Sequence, residues 1–370
     1  MPDPQTPPRP ALMMAGPAEL HDHTLATLGE QVSSCVGAAW VEQHNQTVEL
    51  LGQLLGADRP YLIPGSGTTA IDCAIDNMFE PGQKVAVAST GFFGSRLAEI
   101  AAARRLQVVE VPVEVGAPLD PQALARVVAA GVDGVLAVHV ETSTGVRHPV
   151  EDIAAIARAH GALCLIDGIA SVGGERARVD ELGIDCLVTS TQKGLEAPPG
   201  LAIVALGPGG RDRLRARATR PASWCLDLQV WDRYREDWAA FHPHPVTMPT
   251  NLVLALRSSL EHIFAVGLDV WIDRRAALAR RCREGLAQLG LASVPRPGAE
   301  ANLIVAAYAA DAAAILRHLL ECGIQLSGGL PPLAGRVIRV GLMGRTATDE
   351  MVDRAVALVG AATGAAAAPR

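Results

Sequence analysis

Lysine is almost absent from this chain of 370 residues. Of its 32 Lys+Arg residues only Lys84 and Lys193 are lysine, so the other 30 are arginine (32 − 2 = 30). Arginine serves equally well as surface charge, but it does not give up its proton and cannot replace a lysine whose amine must attack a carbonyl. Lys193 follows a predicted strand and precedes a Pro/Gly-rich turn at 197–200. Its presence there favours carbonyl chemistry, with an ordinary surface lysine as the alternative.

Signatures of several other protein classes are also missing. The net charge is −7 and the basic residues form no stripe, which argues against nucleic acid as a partner. No apolar run is long enough to span a membrane, and residues 1–10 lack the charged-then-apolar pattern of a signal peptide. Seven cysteines are scattered without metal-ligand spacing, so we expect no metal site and reduced thiols in a cytoplasmic protein.

Short apolar segments alternate with helical patterns along most of the chain. Alternation of this kind indicates a mostly parallel sheet with both faces covered by helices. We therefore predict an α/β fold with an N-terminal arm (1–16), a large domain (17–266) and a smaller C-terminal α+β domain (267–370) whose tail, from 365, is frayed. The predicted strands are 85–88, 108–113, 134–140, 162–167, 186–190 and 201–206, and the main predicted helices are 45–57, 71–78, 94–104, 121–130, 150–160, 251–266 and 268–289.

The segment Gly-Ser-Gly-Thr-Thr at 65–69 opens a predicted helix. Free N–H groups in the first turn of a helix bind anions such as phosphate. An ordinary helix cap is the alternative explanation. The segment is not a P-loop, because no Gly-Lys-Ser/Thr follows it.

Two charged residues interrupt apolar strands. Asp167 ends the strand 162–167, where a carboxylate needs a partner such as a protonated pyridine nitrogen. A capping or loop aspartate is the alternative. Arg339 lies in the apolar segment 335–341, and its planar fork suits a substrate carboxylate. Its alternative is an arginine on an edge strand that faces solvent. A phosphate loop, a pyridinium partner, an amine and a carboxylate clamp together meet the needs of pyridoxal 5'-phosphate (PLP) chemistry.

Specific motifs connect these positions. They are Gly-Ser-Gly-Thr at 65–68, Gly-Phe-Phe-Gly at 91–94, Glu-Thr-Ser-Thr-Gly at 141–145, Asp-x-x-x-Ser-x-Gly-Gly at 167–174, Gln-Lys at 192–193, Ala-Pro-Pro-Gly at 197–200 and Arg-Val-Gly-Leu-Met-Gly at 339–344. By these motifs the chain, from about residue 12 to 361, resembles the class V, fold-type I PLP aminotransferases, nearest the alanine–glyoxylate / serine–pyruvate branch. The resemblance implies a mostly parallel seven-stranded sheet in the large domain.

The resemblance also implies roles for individual residues. Lys193 would be the Schiff-base lysine and Asp167 the pyridinium partner. Phe93 would stack on the cofactor and Ser143 would lie near its 3-hydroxyl. The other implied cofactor contacts are Ser66, Gly67, Thr68 and Gln192 for the phosphate, and the implied substrate contacts are Arg339 and Gly16.

Members of this family are homodimers whose phosphate contacts cross the interface, and the segment 244–250 aligns with the crossing loop. Thr247 is retained there, but His244 occupies the place of a usual tyrosine. Phe93 replaces a more usual tryptophan, and the segment around Gly16 departs from the usual Gly-Pro-Gly-Pro. These departures fall at one phosphate contact and at a segment that the resemblance places near the substrate.

The sequence therefore predicts a transaminase acting between a small amino acid (alanine or serine type) and a 2-oxo acid or aldehyde (glyoxylate or pyruvate type). A pyridoxamine–pyruvate type or biosynthetic aminotransferase, or a PLP lyase on the same scaffold, is the alternative. A cysteine desulfurase is disfavoured because Cys322 is predicted at a helix end. A non-catalytic binding module is disfavoured because every chemical position is filled.

Overall fold

The computed structural model describes residues 9–364. The start of the predicted arm and the predicted frayed tail lie outside this range. Within it the strands are β1 (Ala11–Leu12), β2 (Tyr61–Gly65), β3 (Lys84–Ser89), β4 (Gln107–Pro112), β5 (Gly134–Val138), β6 (Val140–Glu141), β7 (Val146–Arg147), β8 (Leu163–Asp167), β9 (Cys186–Ser190), β10 (Gly200–Leu206), β11 (Ile304–Tyr308), β12 (Ile324–Gln325), β13 (Ser327–Gly328) and β14 (Val337–Gly341).

Helices follow most of the strands. They are α1 (Asp22–Leu28), α2 (Ala38–Leu55), α3 (Gly67–Met78), α4 (Phe92–Ala103), α5 (Pro121–Ala129), α6 (Val150–Ala159), α7 (Val179–Leu182), α8 (Pro208–Ala216), α9 (Leu228–Asp237), α10 (Thr250–Val266), α11 (Leu268–Gln288), α12 (Ala312–Glu321) and α13 (Asp349–Thr363). Across residues 9–364, no helix has both the length and the apolar character that a bilayer crossing requires.

The central sheet has seven strands in the order β2-β10-β9-β8-β5-β3-β4. The pairs among β9, β8, β5, β3 and β4 are parallel, and β10 is antiparallel to both of its neighbours. The mostly parallel sheet predicted from the sequence is therefore confirmed. Its inner strands β5 and β9 are buried along their whole length, as is typical of strands covered on both faces.

This topology brings distant segments of the chain to one edge of the sheet. In a sheet of this kind, ligands bind beyond the carboxyl ends of the strands. β2 ends before Ser66, β3 before Phe93, β8 at Asp167 and β9 just before Lys193. The strands therefore place the predicted site residues together, although they are far apart in sequence.

A second, three-stranded antiparallel sheet, β11-β14-β13, packs with α11, α12 and α13 around its own apolar cluster. It matches the α+β arrangement predicted for the C-terminal part. β1, from the predicted arm, pairs in parallel with β12 of this part. The predicted boundaries at residues 16 and 266 remain predictions.

Candidate active site

A cavity of about 140 Å³ lies at the carboxyl edge of the central sheet. Two larger surface cavities, of about 990 and 580 Å³, have no lysine in their walls. The small cavity is lined by Ser66, Gly67, Thr68, Ile71, Phe93, Arg96, Val138, Val140, Thr142, Asp167, Ile169, Ala170, Gln192 and Lys193. It thus collects most of the predicted site residues, and its chemistry identifies it as the candidate active site.

The first turn of α3 forms one wall of this cavity. Ser66 caps the helix: its Oγ accepts from the Thr69 N–H at 3.4 Å, and the Thr69 hydroxyl accepts from the Ser66 N–H at 3.0 Å. Such a cap stabilises the helix by about 1 kcal/mol. The N–H groups of Gly67 and Thr68 belong to the first turn and have no partner within the helix. They provide a ready site for an anion such as phosphate.

Gly67 is closely surrounded by side chains at this turn. A Cβ on Gly67 would lie 2.5 Å from Cδ1 of Ile169 and 3.1 Å from the Ser190 hydroxyl. The Ser190 hydroxyl and Oε1 of Gln192 are buried and have no hydrogen-bond partner in the described part of the chain. Because buried polar atoms are normally paired, these two atoms indicate that the site is built to hold a polar ligand.

Asp167 ends β8, and its side chain is buried. Oδ1 accepts from the Ile169 N–H at 2.8 Å. Burial, together with the negative charge of Glu141, raises the pKa of Asp167 to about 7. A carboxylate in this position gains from a cation placed next to it, so it suits a protonated ring nitrogen.

Lys193 lines the same cavity, in the turn that follows β9. Its Nζ donates a hydrogen bond to the carbonyl oxygen of Ala15. Burial, reinforced by the positive charge of Arg339, lowers the pKa of Lys193 to about 8. The amine therefore loses its proton far more readily than an ordinary lysine, as a nucleophilic amine must.

Gly16 lies directly against Lys193. A Cβ there would lie 2.5 Å from Nζ and 2.6 Å from Cε, and the glycine has a φ of +114°. Only glycine combines this backbone conformation with this close approach. The structure thus explains why a glycine occupies position 16, independently of any contact with substrate.

Arg339 lies in β14, the central strand of the second sheet, and is buried. The alternative of an edge-strand arginine facing solvent is therefore wrong. Its Nε donates to the Gly328 carbonyl at 2.7 Å and its Nη1 to the Thr142 carbonyl at 3.0 Å. These two bonds fix the guanidinium close to Lys193, where it supplies a permanent positive charge beside the cavity.

Glu141 is a site residue that the sequence analysis did not single out. It is fully buried, and its Oε2 accepts from the N–H groups of Phe93 at 3.1 Å and Gly94 at 3.0 Å. Its Oε1 accepts from the Ser143 hydroxyl at 2.6 Å. Glu141 therefore holds the start of α4, and with it Phe93, against the sheet. The signal in the sequence was a carboxylate closing the apolar strand predicted at 134–140.

Ser143 is engaged by this carboxylate, and Thr142 rather than Ser143 lines the cavity. Arg96 is a second residue that the sequence analysis missed. Its guanidinium carbon lies 4.9 Å from the ring centroid of Phe92 and 5.1 Å from that of Phe93. The spacing of three and four residues along α4 would have revealed these contacts.

His244 and Thr247 do not line the cavity of their own chain. Nε2 of His244 accepts from the indole N–H of Trp40 at 2.7 Å, and Nδ1 lies 2.8 Å from the Val246 carbonyl. Both ring nitrogens are thus engaged inside the chain. Burial lowers the pKa of His244 to about 3, so it is a neutral imidazole. Thr247 is exposed and free to contact another molecule.

Comparison with known proteins places this geometry in a family. The aminotransferase class-V family matches residues 18–354. The alanine–glyoxylate aminotransferase of Oryctolagus cuniculus is 29% identical, with 94% of this chain and 91% of that protein covered. The L-aspartate–glyoxylate aminotransferase of Paracoccus denitrificans is 35% identical, with 80% and 76% covered.

A solved structure, the ureidoglycine–glyoxylate aminotransferase of Bacillus subtilis, superposes with a TM-score of 0.90 at 27% identity, covering 97% of this chain and 94% of that one. The predicted fold type and transaminase class are thereby confirmed. This chain belongs to the class V aminotransferases of fold type I.

Proposed function

We propose that this aminotransferase holds PLP in the cavity between α3 and Asp167 and transfers amino groups through Lys193. The observation that carries the proposal is that one cavity contains both Lys193, an amine with a lowered pKa, and Asp167, a buried carboxylate. The polar atoms fit the cofactor. Free N–H groups of Gly67 and Thr68 match a phosphate. Gln192 lines the same cavity, and its amide NH2 group can donate a hydrogen bond to a phosphate oxygen.

PLP supplies an electron sink for the bond that breaks at the substrate Cα. The residues around it then have separate tasks. Asp167 would hold a proton on the pyridine nitrogen. Lys193 would bind the cofactor aldehyde covalently and later carry the proton from the substrate Cα. Phe93, anchored by Glu141, would cover one face of the ring.

The position of Arg339 supports the proposal that the substrate carries a carboxylate. Its Nη2 makes no hydrogen bond within residues 9–364, whereas its other groups fix the fork in place. The three relatives named above share glyoxylate in their names. We therefore propose a small amino acid of the alanine or serine type as donor and glyoxylate, or the similar pyruvate, as acceptor.

The exposed loop with Thr247 supports the proposal of a homodimer in which this residue reaches the partner's phosphate site. Three large aromatic residues nearby in sequence, Trp224, Trp238 and Phe241, are about half exposed, at 50%, 52% and 50%, and would be covered in such a dimer. His244 would support the loop rather than touch the phosphate. All seven cysteines are free thiols, which supports a reducing compartment such as the cytoplasm.

The test uses the absorbance spectrum of the PLP-loaded protein before and after L-alanine is added. We expect a yellow band that fades on addition of alanine and returns with glyoxylate. The Lys193→Ala variant should show neither change, whereas Lys84→Ala, which alters the other lysine, should behave as the wild type. A yellow band that no amino acid alters would contradict transamination. A Lys193→Ala variant with normal turnover would contradict the role of Lys193.

A further inference from the structure

Three histidines meet on the surface where α1 packs against α10. His21 precedes α1, His23 lies in its first turn, and His262 lies in the last turns of α10. The ring centroids are 5.4 Å apart for His21 and His23, 5.1 Å for His21 and His262, and 4.9 Å for His23 and His262. One ring nitrogen of each lies within 4.8 Å of those of the other two. The transaminase reaction described above uses none of these residues.

The hydrogen bonds around the cluster orient two of the rings. Nε2 of His21 lies 2.9 Å from Oε2 of Glu196, and Nδ1 of His23 lies 2.9 Å from Oγ of Ser258. Each ring thus keeps its second nitrogen available, and His262 makes no hydrogen bond in the described residues. Metal-binding histidines characteristically donate their other N–H to a carboxylate or another oxygen. The pairing of His21 with Glu196 follows this pattern.

The ligand set defines the kind of ion. Three imidazoles with no thiolate suit Zn²⁺, Ni²⁺ or Cu²⁺ rather than Mg²⁺ or Ca²⁺, which prefer oxygen. Metal–nitrogen bonds of about 2.0–2.1 Å require the rings to turn inward slightly; His23 is exposed, and its hydrogen bonds are to the hydroxyls of Ser258 and Thr24, which can rotate with it. His21 and His262 also border a surface cavity of about 440 Å³, which leaves a fourth coordination position open to water.

We propose that His21, His23 and His262 form a binding site for a divalent transition-metal ion of the zinc class. The ion would cross-link α1 to α10. Its effect would reach the active site through Glu196, three residues after Lys193. Glu196 is fully buried, and its Oε1 accepts from Arg275 at 2.6 Å.

The segment that precedes α1 provides a second connection between the histidine cluster and the cavity. It includes Ala15 and Gly16, which contact the Lys193 side chain. The Ala18 N–H also donates to the Gln192 carbonyl at 2.8 Å. An ion that holds α1 in place also holds the segment against which Lys193 packs. Zinc binding should therefore change the transamination rate of the PLP-loaded enzyme.

The experiment is calorimetric titration of the chelator-treated, PLP-loaded enzyme with Zn²⁺. We expect one ion per chain, and a loss of affinity of at least about 100-fold in His23→Ala and in His262→Ala, since even outer-shell partners contribute up to that factor. His160→Ala removes an exposed histidine that directly follows α6, and Cys225→Ser removes the exposed thiol; both controls should bind as the wild type.

Co²⁺ gives a second readout that does not depend on activity. The wild type should show visible absorption bands of a four-coordinate cobalt ion, and His23→Ala should not. Since His23 is exposed, this variant should fold normally, which circular dichroism checks. The proposal is overturned if the wild type binds no Zn²⁺ below about 1 mM. It is equally overturned if both histidine variants retain wild-type affinity, because the three rings would then serve packing alone.

Discussion

Lys193 should titrate near pH 8 in the protein before PLP is added. Burial, reinforced by the charge of Arg339, lowers its pKa to about 8 from an ordinary 10.5. At about pH 7.5 roughly 25% of the amine is then neutral, against about 0.1% for an ordinary lysine. The neutral form is the reactive one, so the site should increase the available nucleophile about 200-fold at this pH.

Two substitutions should move this titration in opposite directions. Arg339→Gln removes a positive charge that lowers the pKa of Lys193, so the midpoint should rise. Asp167→Asn removes a negative charge that raises this pKa, so the midpoint should fall. Arg339→Lys keeps the charge and should leave the midpoint close to that of the wild type.

The near absence of lysine makes the assay simple. A brief pulse of an amine-labelling reagent at a series of pH values, followed by digestion and mass spectrometry, reports on Lys193 and Lys84 in the same sample. The extent of labelling of Lys193 against pH gives the midpoint. A midpoint above about pH 10, or a shift in the same direction for both charge-removing variants, would refute the electrostatic reasoning.

Three further predictions concern stability and cofactor uptake. Gly16→Ala should weaken PLP binding, because its Cβ would displace the end of the Lys193 side chain. Gly37→Ala, at a φ of +92° and a ψ of +169° with nothing within 4 Å, should lose about 1–3 kcal/mol of unfolding free energy from backbone strain and still bind PLP as the wild type in a spectroscopic titration. Asp167→Asn should stabilise the cofactor-free chain increasingly as pH rises from about 4 to 7. The pKa of the wild-type carboxyl is raised from 3.8 to about 7 in the folded state, so the wild type loses up to about 4 kcal/mol of unfolding free energy across this pH range. Urea unfolding at each pH measures the difference between the two proteins. A difference that does not change with pH would disprove the prediction. Glu141→Gln should destabilise the fold by about 2 kcal/mol in the same assay, because two N–H groups and a hydroxyl lose a charged acceptor; an unchanged unfolding midpoint would show that the carboxylate is dispensable.

Most of the strands that were predicted have continuous apolar runs, with 108–113, which contains Glu110, as an exception. The segments that became β5, β8 and β9 are recognisable because strands buried on both faces admit little else. β2 was missed because it contains Pro64, although it lies at the sheet edge, where proline is tolerated. The predicted strand 134–140 in fact ends at Val138, and the chain turns before β6.

The sequence indicated which residues come together wherever a residue lies at a strand end within a motif. Lys193, Asp167 and Gly67 line one cavity in the structure, and their roles there remain predictions. Glu141 and the three-histidine cluster were not predicted, because their partners are distant in sequence and only the folded chain brings them together. Cysteine spacing could not have indicated this cluster, since its members are histidines from two segments that are far apart in sequence.

The most direct test of the central claim is the position of the covalent link to PLP. The PLP-loaded protein is reduced with borohydride, which makes the link permanent, and its peptides are analysed by mass spectrometry. The account predicts the added mass on Lys193, none on Lys84, and no fixed cofactor in Lys193→Ala. Labelling of Lys84, or a Lys193→Ala variant that still fixes the cofactor, would contradict it.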